Sequence, residues 1–264
     1  MGAVIAEALP YQTLRVRAAQ DVCFIQIHRP DANNSINDRL IEEFTAALDR
    51  CSPEIKVVVL EGSPEVFCFG ADFKGLQQSF QATGRPAVMD PEPMYELWRR
   101  LASGPYVTIA HVRGQANAGG MGFVAACDMV ICDDKATFSL SELLFGLMPA
   151  CVLPFLVRRV GFARANYMTL MTEPIAAKTA LEWGLVDDCA ADSGNLLRKK
   201  LLRLRRLSKS AIYRYKRYAQ HLDDTLEAAK SKALEANVEV FSDRANLQKI
   251  ARYVSTGQFP WEAE

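Results

Sequence analysis

Two short glycine-containing stretches and one carboxylate carry the chemistry legible in this chain. The first stretch is Phe67-Cys68-Phe69-Gly70-Ala71-Asp72-Phe73, and the second is Asn117-Ala118-Gly119-Gly120-Met121-Gly122-Phe123. Each follows an apolar, strand-like run, Val57 to Leu60 and Val107 to Val112, and the second stretch opens a helix. Glycine lets backbone approach a ligand closely, and the first turn of a helix points unpaired N–H groups outward. Two such loops can each aim one N–H at a single developing oxyanion. Glu142 follows one strand later, in Thr137-Phe138-Ser139-Leu140-Ser141-Glu142-Leu143. Oxyanion donors with one carboxylate suit proton abstraction beside a thioester carbonyl.

Each of these residues also has a plainer reading. Glu142 could cap the next helix or pair with an arginine. Gly119 and Gly120 could simply permit close helix–strand packing. Asp72 could hold its own loop through backbone hydrogen bonds or contact substrate. Asn117 could cap the glycine-rich helix or bind a substrate hydroxyl. His111 ends an apolar strand, as a satisfied structural histidine or as a general acid. Phe69 could narrow an acyl pocket or only pack.

The elements that must position these groups alternate. Asp21 to His28, Ile55 to Leu60, Tyr106 to Val112, Asp128 to Cys132 and Ala136 to Leu140 read as strands. Helical spacing runs from Asn37 to Arg50, with Leu40, Ile41, Phe44, Ala47 and Leu48 on one face. Further helices are expected at Pro93 to Ala102, Cys151 to Val160, Ala163 to Thr172 and Ala176 to Trp183, and from Leu196 onward only helices. Residues 84–93 hold three prolines and one glycine and read as a mobile loop. Short strands separated by helices or turns indicate an α/β fold. The composition shifts near residue 192, dividing a core at 1–192 from a helical region at 193–264.

Composition narrows the function classes. The chain has 264 residues, half of them hydrophobic, enough for a sizeable core. Lys+Arg and Asp+Glu number 31 each, so no global field draws nucleic acid or an anionic membrane. No apolar run reaches membrane-spanning length, and the first residues lack a signal-peptide pattern. Seven cysteines without CxxC spacing and three histidines give little for a metal site and suit reduced thiols in a cytoplasmic protein. The segment Arg198 to Arg217 has ten basic residues and no acidic one. It reads either as solvated helix faces or as a docking surface for an acidic partner, with Arg203, Arg206 and Arg214 as candidates.

The loops resemble the crotonase (enoyl-CoA hydratase/isomerase) superfamily. FCFGADF is similar to its F-x-x-G-A-D element, and HRPDANNSIN to its N-R-P-x-x-x-N-A motif. GQANAGGMGFVAACDMVICDDKATFSLSELLFGLMP is similar to its N-G-x-A-x-G-G-G…C-D…A-x-F-x-x-P-E-x-x-x-G element. The resemblance runs from about residue 11 to the C-terminus. It implies a spiral ββα superhelix closed by a C-terminal helical region that serves assembly and pocket closure, and trimers or dimers of trimers. It places the oxyanion N–H groups on Ala71 and Gly119, and the second catalytic glutamate of the hydratases on Glu142. Their first glutamate falls on Gly122, a departure that argues against plain enoyl-CoA hydration.

VFCFGADF, GPYVTIAHVRG, NAGGMGF, FSLSELLFGLMPACVLPF and TGQFPWE resemble the dehydratases of polyketide β-branching cassettes more closely. That resemblance implies dehydration of a 3-hydroxy-3-methylglutaryl thioester on an acyl carrier protein to the 3-methylglutaconyl thioester. Phosphopantetheine would then belong to the substrate, with no metal or other cofactor. Gly122 would leave room for the distal carboxylate and methyl group. The alternatives are a CoA-dependent hydratase, isomerase or decarboxylase, and a non-catalytic binding protein of the same fold.

Overall fold

The computed structural model describes residues 11–51, 54–75, 77 and 90–262. Most of the proline-rich segment at 84–93 lies outside the described residues. The strands are β1 (Leu14–Ala19), β2 (Val22–Ile27), β3 (Val57–Glu61), β4 (Val66–Cys68), β5 (Val107–Val112), β6 (Gln115–Asn117), β7 (Met129–Cys132), β8 (Thr137–Ser139), β9 (Ile175–Ala176) and β10 (Asp188–Cys189). The helices are α1 (Asp38–Asp49), α2 (Glu92–Ser103), α3 (Gly119–Ala126), α4 (Leu153–Val160), α5 (Phe162–Met171) and α6 (Ala177–Glu182). Four more close the chain: α7 (Ser193–Leu204), α8 (Lys209–Leu222), α9 (Thr225–Ser242) and α10 (Arg244–Thr256).

The strands sort into two sheets. One has the order β1-β2-β3-β5-β7-β10, and the other β4-β6-β8-β9. β3, β5 and β7 pair in parallel in the first sheet, and β4, β6 and β8 pair in parallel in the second. Each circuit of the chain therefore lays one strand in each sheet before the next circuit stacks beside it. This is the spiral ββα superhelix, followed by a helical C-terminal region.

The central strands are apolar at nearly every position because both sheet faces are covered. On one face Val58, Leu60, Ala110 and Val112 join the main core with α1, α2 and α3. On the other face Val57, Val59, Val107 and Ile109 pack against Leu197, Leu204 and Ile212 of α7 and α8. α1 buries the five residues that its spacing selects, and Asn37 caps it by accepting a hydrogen bond from the Leu40 N–H. α3 has no polar stripe, since every residue from Gly120 to Ala126 is buried.

β1, β4, β6, β9 and β10 have no counterpart in the sequence reading. Four of these are only two or three residues long, too short to show alternation. β4 and β6 matter most, because they deliver Phe69-Gly70-Ala71 and Asn117-Ala118-Gly119 to one place.

The outer helices are fastened through charge. Lys216 on α8 is buried, and its Nζ lies 2.5 Å from Asp128 Oδ1. Asp128 Oδ2 accepts from the Thr108 N–H and from Thr108 Oγ1. Lys216→Met should therefore leave Asp128 without its cation and lower stability by about 3 kcal/mol. Urea unfolding reads the effect, and an unchanged midpoint would mean that the ion pair contributes nothing net.

Candidate active site

A cavity of about 640 Å³ lies where the ends of β4, β6 and β8 meet. Its lining includes Phe69, Ala71, Asp72, Asn117, Gly119, Ser139, Ser141 and Glu142. Asn237, Phe241, Tyr253, Val254 and Phe259 from the C-terminal region form part of the same wall.

The two glycine loops converge as their sequences suggest. Ile36 donates its N–H to Gly70 O (2.7 Å) and accepts from the Asp72 N–H (3.0 Å). This parallel bridge uses the residues on either side of Ala71, so the Ala71 N–H is left outside it. Gly119 opens α3, where the N–H has no partner one turn back. A Cβ built on Gly119 would sit 3.0 Å from Ile36 Cδ1 and 4.0 Å from the Ala71 nitrogen, so a side chain there would crowd the gap between the donors. Among the described residues neither amide donates to a protein acceptor.

The backbone that aims these groups is strained. Gly70 has φ +93°, and a Cβ there would lie 2.7 Å from Ala118 Cβ. Ala118 has φ 49° and ψ −123°, a region costly for a residue with a side chain. Hydrogen bonds from the Ala118 N–H to Ser139 O and from the Met121 N–H to Ala118 O hold it there.

Glu142 begins a 3-10 turn, Glu142–Phe145, directly after the end of β8. The residue is buried, and its Oε2 has no hydrogen-bond partner among the described residues. Burial raises its pKa to about 7, and the backbone N–H groups of Glu142 and Ser141 pull in the other direction. The turn is clamped from the C-terminal region: Asn246 Nδ2 donates to Gly146 O (2.9 Å), and the Phe145 ring meets Tyr253 edge-on.

The remaining candidates divide. Asp72 lines the cavity, but its carboxylate is engaged. Arg29 Nη2 lies 2.8 Å from Oδ2, and Oδ1 accepts from the Gly75 N–H. Arg29 also reaches Ser35 O, tying the Gly70–Asp72 loop to the segment before α1. Asn117 does not cap α3; it bonds Ser139 and Ser141. Phe69 is partly exposed on the cavity rim.

Three expectations need correction. His111 is not a pocket residue: its Nδ1 meets Glu61 Oε1 at 3.1 Å, and its Nε2 meets Ser193 Oγ at 2.9 Å, inside the packing between β5 and α7. Gly122 does not line the cavity either; it lies behind Trp98, whose ring does. A Cβ at residue 122 would fall 2.3 Å from Trp98 Cζ2, so the Trp98 ring fills the direction in which a side chain would grow. Arg203, Arg206 and Arg214 are exposed, but they sit on α7, α8 and the turn between them, across the main sheet from the cavity. No residue of either helix lines the cavity. Other cations of that stretch serve the fold, with Lys200 on Asp188, Arg205 on Asp21, Lys216 on Asp128 and Lys209 on Ile55 O.

Sequence reasoning passed over Arg29, Trp98, Ser139 and Ser141. Ser139 and Ser141 stand two apart beside Glu142, a period-2 signal for one face of a strand end. Arg29 and Trp98 gave no such signal, because their partners Asp72 and Gly122 are remote in the chain.

The family model for enoyl-CoA hydratase/isomerase matches residues 17–264. The chain belongs to this family. It is 57% identical over 257 residues to the bacillaene synthase dehydratase PksH of Bacillus subtilis, covering 97% of this chain and 99% of the relative. It is 33% identical over 178 residues to the 2,3-dehydroadipyl-CoA hydratase of Escherichia coli, covering 66% of this chain and 68% of that one. The crystal structure of PksH from Bacillus subtilis superimposes with a TM-score of 0.92, covering 95% of this chain and 100% of that chain. An enoyl-CoA hydratase from Mycobacterium avium subsp. paratuberculosis superimposes at 0.82 with 26% identity, covering 95% and 98%. The fold is thus the crotonase fold, and the chain is an enzyme of hydro-lyase type. Among the described residues no helix is long and apolar enough to cross a membrane.

Two outcomes follow from this geometry. Gly122→Ala should overpack the Trp98 site and lower stability by about 1–3 kcal/mol, read by thermal or urea unfolding; an unaffected variant would mean that the ring moves freely. Glu142→Gln should stabilise the protein in a pH-dependent way. A carboxyl whose folded pKa lies above its unfolded value of 4.5 binds more protons when folded. Its contribution is full below the unfolded value and is lost as pH rises through about 7. The variant should therefore gain up to about 3 kcal/mol over wild type above pH 8 and nothing below pH ~4. A pH-independent difference would mean that Glu142 titrates normally.

Proposed function

We propose that the protein dehydrates a 3-hydroxy-3-methylglutaryl thioester on an acyl carrier protein to the 3-methylglutaconyl thioester, in polyketide β-branching. One observation supports this above the others. Among the described residues, a buried carboxyl with an unbonded oxygen shares a cavity with two N–H groups that have no protein acceptor. The resemblance to β-branching dehydratases supplies the substrate, and the whole-length identity to a synthase dehydratase agrees with it.

The chemistry closes with one acid/base group. The thioester oxygen accepts hydrogen bonds from the Ala71 and Gly119 N–H groups. The Glu142 carboxylate takes the C2 proton, and the charge moves onto the thioester oxygen as an enolate. The enolate re-forms the carbonyl as the C2–C3 double bond forms and the C3–O bond breaks. The Glu142 carboxyl returns its proton to the departing hydroxyl, and water leaves. Each oxyanion donor contributes about 3–4 kcal/mol. No metal enters this scheme, and phosphopantetheine is part of the substrate.

The carrier protein would dock on the cavity side of the molecule, because Arg203, Arg206 and Arg214 lie across the sheet. Trimers or dimers of trimers fit the apolar surface that α5 leaves uncovered, with Phe162, Tyr167, Leu170 and Met171 exposed.

Mass spectrometry of carrier protein loaded with 3-hydroxy-3-methylglutarate is the direct test. Wild-type enzyme should bring loss of one water from the loaded arm, and Glu142→Gln should slow it by at least ~10². Activity should fall below pH ~7 as the base becomes protonated. Unchanged carrier mass, with turnover of a CoA thioester instead, would reject the carrier substrate.

A further inference from the structure

The oxyanion donors and Glu142 account for the thioester oxygen and the C2 proton. They leave the departing C3 oxygen served only by the returning proton. A short polar chain beside Glu142 bears on that oxygen.

Asn117 and Ser139 are directly paired residues of the parallel strands β6 and β8. Ser139 Oγ donates to Asn117 Oδ1 at 2.8 Å, and Asn117 Nδ2 donates to Ser141 Oγ at 2.9 Å. Asn117 is 7% exposed, and all three residues line the cavity together with Glu142. The hydrogen of Ser139 is therefore spent, and one lone pair of Ser141 is occupied. Among the described residues the Ser141 hydroxyl hydrogen has no acceptor. A hydroxyl that accepts on one side and keeps its hydrogen is a donor awaiting an oxygen. The chain runs in one direction, Ser139 to Asn117 to Ser141, so each bond polarises the next.

The position selects the acceptor. The thioester oxygen already has two amide donors. Ser141 and Glu142 are adjacent in the chain, and both line the cavity. An oxygen that receives a proton from Glu142 is thus within reach of its neighbour.

We infer that Ser141 donates a hydrogen bond to the C3 hydroxyl oxygen of the substrate, with Asn117 as the positioning residue that fixes the serine as a donor. The inference rests on the proposed dehydration. Ser141 transfers no net proton; the leaving oxygen takes its proton from Glu142, and the serine hydrogen bond lowers the charge that builds as the C3–O bond breaks. This assigns to Ser141 the hydroxyl contact that the sequence suggested for Asn117.

Two rates on the same protein separate this role from a structural one. The first is dehydration of the 3-hydroxy-3-methylglutaryl carrier-protein thioester. The second is deuterium uptake at C2 of 3-methylglutaryl pantetheine thioester in D2O, which needs Glu142 and the oxyanion donors but has no hydroxyl to expel. Ser141→Ala should slow dehydration about 10- to 100-fold, the range for a hydrogen bond to a charged oxygen. Deuterium uptake should stay within about twofold, and Ser141→Thr, which keeps a hydroxyl, should recover most of the dehydration. Dehydration within twofold of wild type in Ser141→Ala would overturn the assignment, as would equal loss of both rates. A wild-type enzyme that takes up deuterium but never dehydrates would instead overturn the substrate reading, and the acceptor oxygen with it.

Discussion

Parallel pairing in two sheets at once is the constraint from which the site follows. A chain that lays one strand in each sheet per circuit must turn at the same end of the smaller sheet every time. β4, β6 and β8 are only three residues long, yet their pairing brings the segments that follow them into one row. Gly70-Ala71, Ala118-Gly119 and Ser141-Glu142 are three consecutive members of that row. No long-range loop is needed to gather these segments round one cavity, because the ladder spacing gathers them. The strained Ala118 backbone is the local cost of turning a strand directly into the helix that presents Gly119.

Glu142 shows how burial serves chemistry and opposes stability with the same force. Removing water from the carboxyl raises its pKa toward neutrality, where it can both take and return a proton. The same desolvation makes the ionised form unwelcome in the fold. Asn246 on α10, reaching Gly146, and Tyr253, against Phe145, hold the turn in place regardless. The C-terminal helices thus bear on Glu142 through the turn that carries it.

The segments that converge on the cavity were legible in the sequence where their signal is local. Gly70, Gly119 and Glu142 sit in short strings whose residue types have few other uses together, and α1 announced its buried face through spacing alone. Legibility failed where a residue's meaning lies in a remote partner. His111 reads from sequence as a structural histidine or a general acid, and only Glu61 and Ser193 on its two nitrogens show it to be structural. The basic run on α7 and α8 looks like an uncompensated patch until Asp21, Asp128 and Asp188 arrive from other elements. Short strands such as β6 are invisible because a three-residue strand is defined by its neighbours rather than by its own pattern.

The contact between Trp98 and Gly122 also bears on which sequences lie one mutation away. Any side chain at residue 122 must contend with an indole that is itself wedged against Phe123 and Phe155. A glutamate there, the arrangement that the resemblance implies for hydratases with two carboxylates, would collide with the Trp98 ring. Residue 98 would have to shrink first, leaving a void in the core until the second change arrived. Bulk at residue 98 and space at residue 122 are thus coupled, and a larger side chain at one requires a smaller one at the other.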